Sequence, residues 1–206
     1  MKTISIINLK GGVAKTLTAD NMAHVLAVFH NKRVLLVDND KQGNTSKAFG
    51  VHSYDEKSLS DILTARRLDP WEVIRKTRFE NIDVLPANMT LIRANLEVMM
   101  DSARPQQTRL RDALNVVAKD GFYDYCIIDN APDINISTIN ALVASDDVII
   151  PIKIDKYAFE RTCRGHAGRP EPALAAGGLP YHLFSEDRRR QAGRRMVESP
   201  AGIPGF

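Results

Sequence analysis

The chain is poor in cysteine: 206 residues hold only Cys126 and Cys163. Neither has a CxxC partner, so neither a disulfide framework nor a zinc site is indicated. Cys126 lies inside an apolar run and reads as a small core residue. No apolar run approaches the length that crosses a bilayer. The N-terminus has one lysine, then an apolar run that stops at Lys10, which is unlike a signal peptide. A soluble cytoplasmic protein with no membrane partner is the expectation. A general basic excess is missing too. The formal net charge is +3, but residues 161–206 contain eight Arg, no Lys and four acids. That leaves 20 basic against 21 acidic residues in 1–160. The basicity belongs to the C-terminal segment and excludes an argument for nucleic-acid binding from the whole-chain charge.

What the chain does have is a repeated pattern. Short runs rich in Ile and Val occupy residues 3–8, 33–38, 82–86, 125–129 and 147–152. Near-continuous apolar runs suit strands buried on both faces of a parallel sheet. Helical patterns lie between them, at 16–29, 59–65, 70–76, 91–100, 107–119 and 134–144. Alternation of this kind predicts an α/β, doubly wound, mainly parallel sheet with right-handed crossovers. Ligands of such folds sit at the C-terminal ends of the strands.

Three of those ends carry chemistry. The first run leads into Leu9, Lys10, Gly11, Gly12, Val13, Ala14, Lys15, Thr16 and Leu17, followed by a helical pattern. A Gly-rich loop between strand and helix, closed by Lys and Thr, points backbone N–H groups at one anion. Lys15 then reaches the outer phosphates of a nucleotide and Thr16 offers its hydroxyl to Mg²⁺. The second run ends at Asp38-Asn39-Asp40-Lys41-Gln42-Gly43-Asn44. Period two puts Asp38 and Asp40 on one side while strand geometry lasts. One of the pair can hold a metal-bound water and the other can orient or deprotonate the attacking water. The fourth run ends at Asp129, a carboxylate at a buried strand end that suits Mg²⁺ through water. Asp133 is expected to cap the helix that follows.

Residues 9–17 resemble the deviant phosphate-binding loop, x-Lys-Gly-Gly-x-Gly-Lys-[Thr/Ser], of the ParA/Soj/MinD-like ATPases. Ala14 replaces a glycine of that pattern, and its methyl adds bulk where backbone packs near phosphate. The run 38–44 is similar to the same family's Asp-x-Asp-x-Gln-Gly-Asn segment, with Lys41 where proline is common. Asp129 to Pro132 resembles its Asp-x-x-Pro segment. The resemblance covers residues 2–160 and implies P-loop topology. It implies ATP and Mg²⁺ as cofactors, with Lys10 to Leu17 binding nucleotide. It makes Asp40 the hydrolytic carboxylate, with Thr16, Asp38 and Asp129 supporting the metal. It also implies an ATP-bound homodimer in which Lys10 reaches the partner's nucleotide, nonspecific DNA binding, and a ParB-like centromere-binding partner. Gln42 and Asn44 would shape the loop.

From Arg161 onward Arg, Gly, Pro and Ala dominate, and the family's C-terminal strands have no counterpart in the pattern. Residues 1–160 therefore read as an ATPase core and 161–206 as a disordered tail. A reading-frame change in GC-rich DNA yields such a bias. The clusters Arg188-Arg189-Arg190 and Arg194-Arg195 suit either a solvated charge run or salt-sensitive DNA contacts. The alternative to an active ATPase is a nucleotide-independent interaction protein, a truncated or degenerate relative that binds partners without turnover. A membrane-cycling relative needs a basic amphipathic C-terminal helix, and residues 185–196 have few large apolar partners for their arginines. A nitrogenase-reductase-like protein needs cluster-ligating cysteines that the chain lacks.

Overall fold

The computed structural model describes residues 1–153. The expectations for 154–206, including Cys163 and the arginine clusters, lie outside the described residues. The elements are β1 (Lys2–Ile6), α1 (Lys15–His24), β2 (Val34–Asn39), α2 (Asn44–Ala48), α3 (Leu59–Thr64), β3 (Arg75–Lys76), β4 (Ile82–Leu85), α4 (Thr90–Met100), α5 (Arg109–Lys119), β5 (Tyr125–Asn130), α6 (Ile136–Val143) and β6 (Asp147–Ile149). The sheet order is β3-β4-β2-β5-β1-β6, parallel except where β3 pairs with β4. This is the doubly wound, mainly parallel sheet read from the sequence. Among the described residues no helix is long and apolar enough to cross a membrane.

Strand alternation sorts the core into two layers. Leu35, Val37, Leu85, Cys126 and Ile128 pack with residues of α3, α4, α5 and α6. Val34, Leu36, Ile82, Val84 and Ile127 pack on the other face, against Ala19, Ala23 and Ala27 and against Phe49. The alanines recur every fourth residue, one face of a helix, and their small side chains allow close approach to the strands. A one-residue slip of β2 would send each of its side chains to the wrong face. Both faces are buried apolar layers, so a slip costs mispacking in each layer and exchanges Asp38 with Asn39 at the strand end, rather than exposing side chains. In that register Val34 pairs with Tyr125, Leu36 with Ile127, Asp38 with Asp129 and Asn39 with Asn130.

Several local expectations need correction. The helix over 70–76 is instead one 3₁₀ turn, Pro70–Glu72, followed by the edge strand β3. Asp69 does cap that turn, accepting from the Trp71 amide. The chain then leaves helical geometry because Trp71 stacks on Tyr123 and Val73 is fully buried, while Arg75 and Lys76 pair with Val84 and Asp83. The helix over 16–29 is α-helical only to His24 and widens to a π-helical turn over Val25–Phe29. The cap of α6 is Asn135, not Asp133: Asn135 Oδ1 accepts from the Thr138 amide at 2.9 Å. Asp133 instead accepts from Asn135 Nδ2 at 2.8 Å. The helix α2 was not foreseen at all.

Gly43 makes α2 possible. Its φ is 63°, in the left-handed region. A Cβ there would lie 2.6 Å from His52 Cδ2 and 2.7 Å from the Ala87 carbonyl oxygen. Backbone cannot yield as a flexible side chain can. Gly43→Ala is therefore expected to cost at least about 2 kcal/mol, combining left-handed strain with the clash. Urea unfolding of the two proteins checks this, and equal midpoints would contradict it.

Candidate functional site

The alternation that builds the core also builds the site. Counting on from Leu36 and Ile127, Asp38 and Asp129 point to the α1 face of the sheet. Asn39 and Asn130 point to the opposite face, toward α6. There Asn39 Nδ2 donates to Asn130 Oδ1 at 2.8 Å and to the Ser137 carbonyl at 3.1 Å. Asn130 Nδ2 donates to the Ile6 carbonyl at 3.1 Å, tying β5 to the end of β1. The two amides thus clamp three adjacent strand ends just beneath the acidic pair.

The loop after β1 is anchored from below. Asn8 Nδ2 donates to the Pro151 carbonyl, and Asn8 Oδ1 accepts from the Lys10 amide, both at 2.8 Å. Val13 is buried and holds the loop on the core. A Cβ on Gly11 or Gly12 would meet nothing within 4 Å, so the loop's glycine segment is open to an incoming group. Lys15 is buried, with Nζ donating to the Lys10 carbonyl at 3.4 Å. Its ammonium is thus folded back over the loop rather than extended into solvent. Lys10 itself is exposed on the outer rim, and Leu17 is 61% exposed.

On the α1 face, Thr16 lies near enough to Asp129 to favour its charged form. The Thr45 hydroxyl donates to Asp129 Oδ2 at 2.9 Å, whereas Asp129 Oδ1 is buried with no hydrogen-bond partner among the described residues. Asp38 is completely buried. Its Oδ2 accepts from the Ser46 amide at 2.8 Å and the Ser46 hydroxyl at 2.6 Å; its Oδ1 accepts from the Asp40 amide at 3.1 Å. Ser46 Oγ also accepts from the Ala87 amide, linking the end of β4 to the same point. Asp40 is half-buried in the turn beyond the strand and accepts from the Gln42 amide at 2.9 Å. The structure therefore brings Lys15, Thr16, Asp38, Asp40 and Asp129 to one edge, and leaves the side chains of Lys10 and Leu17 on its outside.

The acids carry an electrostatic cost. Burial pushes Asp38 up to about 7, against hydrogen bonds from Ser46 that favour its charge; the charge of Asp129 adds to the rise. Burial pushes Asp129 up to about 6, opposed by Thr16 and Thr45 and reinforced by Asp20 and Asp40. Such a site favours a cation. Among the described residues no group of three or more His, Cys, Asp or Glu could hold a metal by itself. Mg²⁺ does not need one: it takes one or two carboxylates and draws its other ligands from water and phosphate. Asp129, which keeps an unpartnered Oδ1 among the described residues and has Thr16 nearby, fits that donor set.

The AAA domain family matches residues 1–163. Soj of Bacillus subtilis strain 168, a sporulation initiation inhibitor protein, is 44% identical over 160 residues, which is 77% of this chain and 61% of Soj. The chromosome partitioning protein ParA of Caulobacter vibrioides NA1000 is 32% identical over 205 residues, 96% of this chain and 74% of ParA. The chain belongs to the ParA/Soj-type AAA domain family. Cobyrinic acid a,c-diamide synthase from Mycobacterium smegmatis, solved with a bound ATP analog and magnesium, superposes with a TM-score of 0.66 at 32% identity. That match covers 80% of this chain and 68% of the synthase. The chain thus spans less than two thirds of Soj.

Within this ParA-type site, sequence reasoning missed Asp20, Thr45 and Ser46. Asp20 had one available signal: it lies four residues after Thr16, hence on the same helix face. Thr45 and Ser46 had none, because their placement depends on the unforeseen α2.

Two predictions follow from strain and charge. Ala14 has φ 64°, a left-handed conformation that costs a non-glycine residue about 1 kcal/mol. Ala14→Gly should raise unfolding stability by roughly that amount, read by urea titration; no gain would show that the methyl is accommodated. The second concerns pH. A carboxyl whose folded pKa lies above its unfolded value binds its proton more tightly when folded. Its stabilisation is complete below about pH 4 and is lost as pH rises through the folded value. For Asp38 that window runs from about 4 to about 7. The ligand-free protein should lose stability across it, and Asp38→Asn should flatten the loss, measured by thermal unfolding from pH 5 to 8. A ligand-free protein that gains stability over that range would contradict the assignment.

Proposed function

We propose that the chain is a Mg²⁺-dependent ATPase of the partition type. It binds ATP at Lys10 to Leu17, with Lys15 on the outer phosphates, and hydrolyses it to ADP and phosphate through Asp40. It acts as an ATP-bound homodimer, with Lys10 reaching across, binds DNA without sequence preference, and answers to a ParB-like centromere-binding protein in the cytoplasm. Residues 1–160 form the nucleotide-binding core and 161–206 a separate segment. One observation carries the reading: Lys15 folds back over an open Gly-rich loop while Thr16 meets a buried carboxylate that retains an unpartnered oxygen. Two relatives support it, one named for chromosome partitioning and one solved with an ATP analog and magnesium.

The residues divide the work. Backbone N–H groups of the loop and of the first turn of α1 face the phosphates, and the helix dipole favours their charge. Lys15 neutralises the outer phosphates at a fixed point. Thr16 and Asp129, with Asp38 behind them, would hold Mg²⁺, which when bound would add to the neutralisation of the phosphate oxygens. Asp40, in the turn beyond β2, orients the attacking water and takes its proton. Positioning and charge suffice for phosphoryl transfer, so few groups are needed.

A second reading has its own support. The strained Ala14 stands where the family loop has glycine. A degenerate relative that binds partners without turnover fits that departure. Measuring phosphate release with Mg²⁺, with and without DNA, separates the two. Under the ATPase reading Lys15→Ala loses nucleotide binding, whereas Asp40→Ala keeps it and slows release by about 100-fold or more. Normal turnover in Asp40→Ala would remove its assigned role, and absence of turnover in the parent chain would favour the second reading.

A further inference from the structure

The nucleotide site is supported by a hydroxyl that bridges two elements. Thr45, completely buried at the start of α2, lies with Oγ1 2.9 Å from Asp129 Oδ2 and 3.3 Å from Asp20 Oδ1. A hydroxyl has one proton, so this is a three-centre contact with its shorter leg to Asp129. Asp20 stands one helical turn beyond Thr16 on the same face of α1. The bridge therefore joins the helix that follows the phosphate loop to the end of β5. Its effect on Asp129 is asymmetric: Oδ2 is occupied, and Oδ1 is buried without a partner among the described residues. A free carboxylate would rotate about its terminal bond, where preferences are broad. A carboxylate pinned through one oxygen presents the other in a single direction.

We propose that Thr45 and Asp20 are positioning residues for the divalent cation that accompanies the nucleotide, fixing Asp129 so that Oδ1 remains available to it. The inference rests on the Mg²⁺–ATP reading given above. Thr45 and Asp20 touch neither nucleotide nor cation in this account; they act through Asp129. Removing the bridge should loosen the cation and leave the phosphate loop unaffected, because Lys15 Nζ is held by the Lys10 carbonyl and the Lys10 amide by Asn8.

The test is a Mg²⁺ titration of fluorescent N-methylanthraniloyl-ATP binding to the full chain, with nucleotide affinity in EDTA measured alongside. Thr45→Val removes the hydroxyl and keeps the branched shape. It should raise the Mg²⁺ half-saturation about 10–100-fold, the usual cost of losing such support, with the EDTA affinity unchanged. Thr45→Ser restores the hydroxyl and should stay within about threefold of the parent. Asp20→Ala, at a half-buried position, should shift it in the same direction by a smaller factor, and gives the answer should Thr45→Val not fold. A parent-like Mg²⁺ dependence in Thr45→Val or Asp20→Ala overturns the proposal. So does an equal loss with and without Mg²⁺, the mark of a merely structural role, or a Thr45→Ser shift as large as that of Thr45→Val. A parent chain whose nucleotide binding ignores Mg²⁺ removes the Mg²⁺–ATP reading and the bridge together; a Mg²⁺-responsive parent matched by Thr45→Val removes only the bridge.

Discussion

The in-register parallel pairing of β2 with β5 is the constraint on which the rest depends. Two Asp-Asn dipeptides, 38–39 and 129–130, lie side by side at the sheet's C-terminal edge. Because side chains alternate, one pairing yields two products. The aspartates meet on the α1 face, and the asparagines meet on the α6 face. The asparagine pair is neutral and hydrogen-bonded and holds the strand ends together. The aspartate pair, when both are ionised, drives them apart. Apolar residues lower in the same strands fix the register. The positions of the acids are thus decided by side chains remote from any ligand.

Stability and site chemistry pull against each other here. Asp38 and Asp129 are held above the ordinary carboxylate range by burial, with Asp129 adding to the rise of Asp38, and Asp20 and Asp40 to that of Asp129. Two buried side-chain oxygens, Asp129 Oδ1 and Asn39 Oδ1, have no hydrogen-bond partner among the described residues. Ala14 occupies a backbone region that suits glycine. Each of these weakens the ligand-free protein, and all three lie at the same edge of the sheet. Local rules broken together at one place mark a functional site. A cation and a polyanion would relieve the electrostatic part of that cost, since ligand binding stabilises the state that holds it.

The fold was readable because buried parallel strands leave an obvious trace. Residues 34–37 and 125–128 are short apolar runs, 82–85 is one broken only by Asp83, and all five foreseen strands exist with ends shifted by a few residues. The loop from Lys10 to Thr16 was readable because few structures need that residue order. Short elements were not. The pair Arg75 and Lys76 joins the sheet by backbone bonds that its charged side chains do not announce. Residues 44–48 form a helix only because Gly43 turns the chain beneath Ala87, a tertiary fact. Thr45 and Ser46, and with them the support of Asp129 and Asp38, were hidden for the same reason. Asp133 looked like a cap, but Asn135 lies closer to the Thr138 amide and took the role.

The central claim is that register-paired carboxylates beside the Gly-rich loop form the cation site of a nucleotide complex. Anomalous diffraction from crystals of the chain grown with Mn²⁺ and a non-hydrolysable ATP analogue tests it directly. The account predicts one strong manganese peak within coordination distance of Thr16 Oγ1, on the side of Asp129 that carries Oδ1, with the triphosphate over residues 11–16. Nucleotide bound there with manganese elsewhere, or manganese at Asp129 with the nucleotide outside the loop, would contradict it.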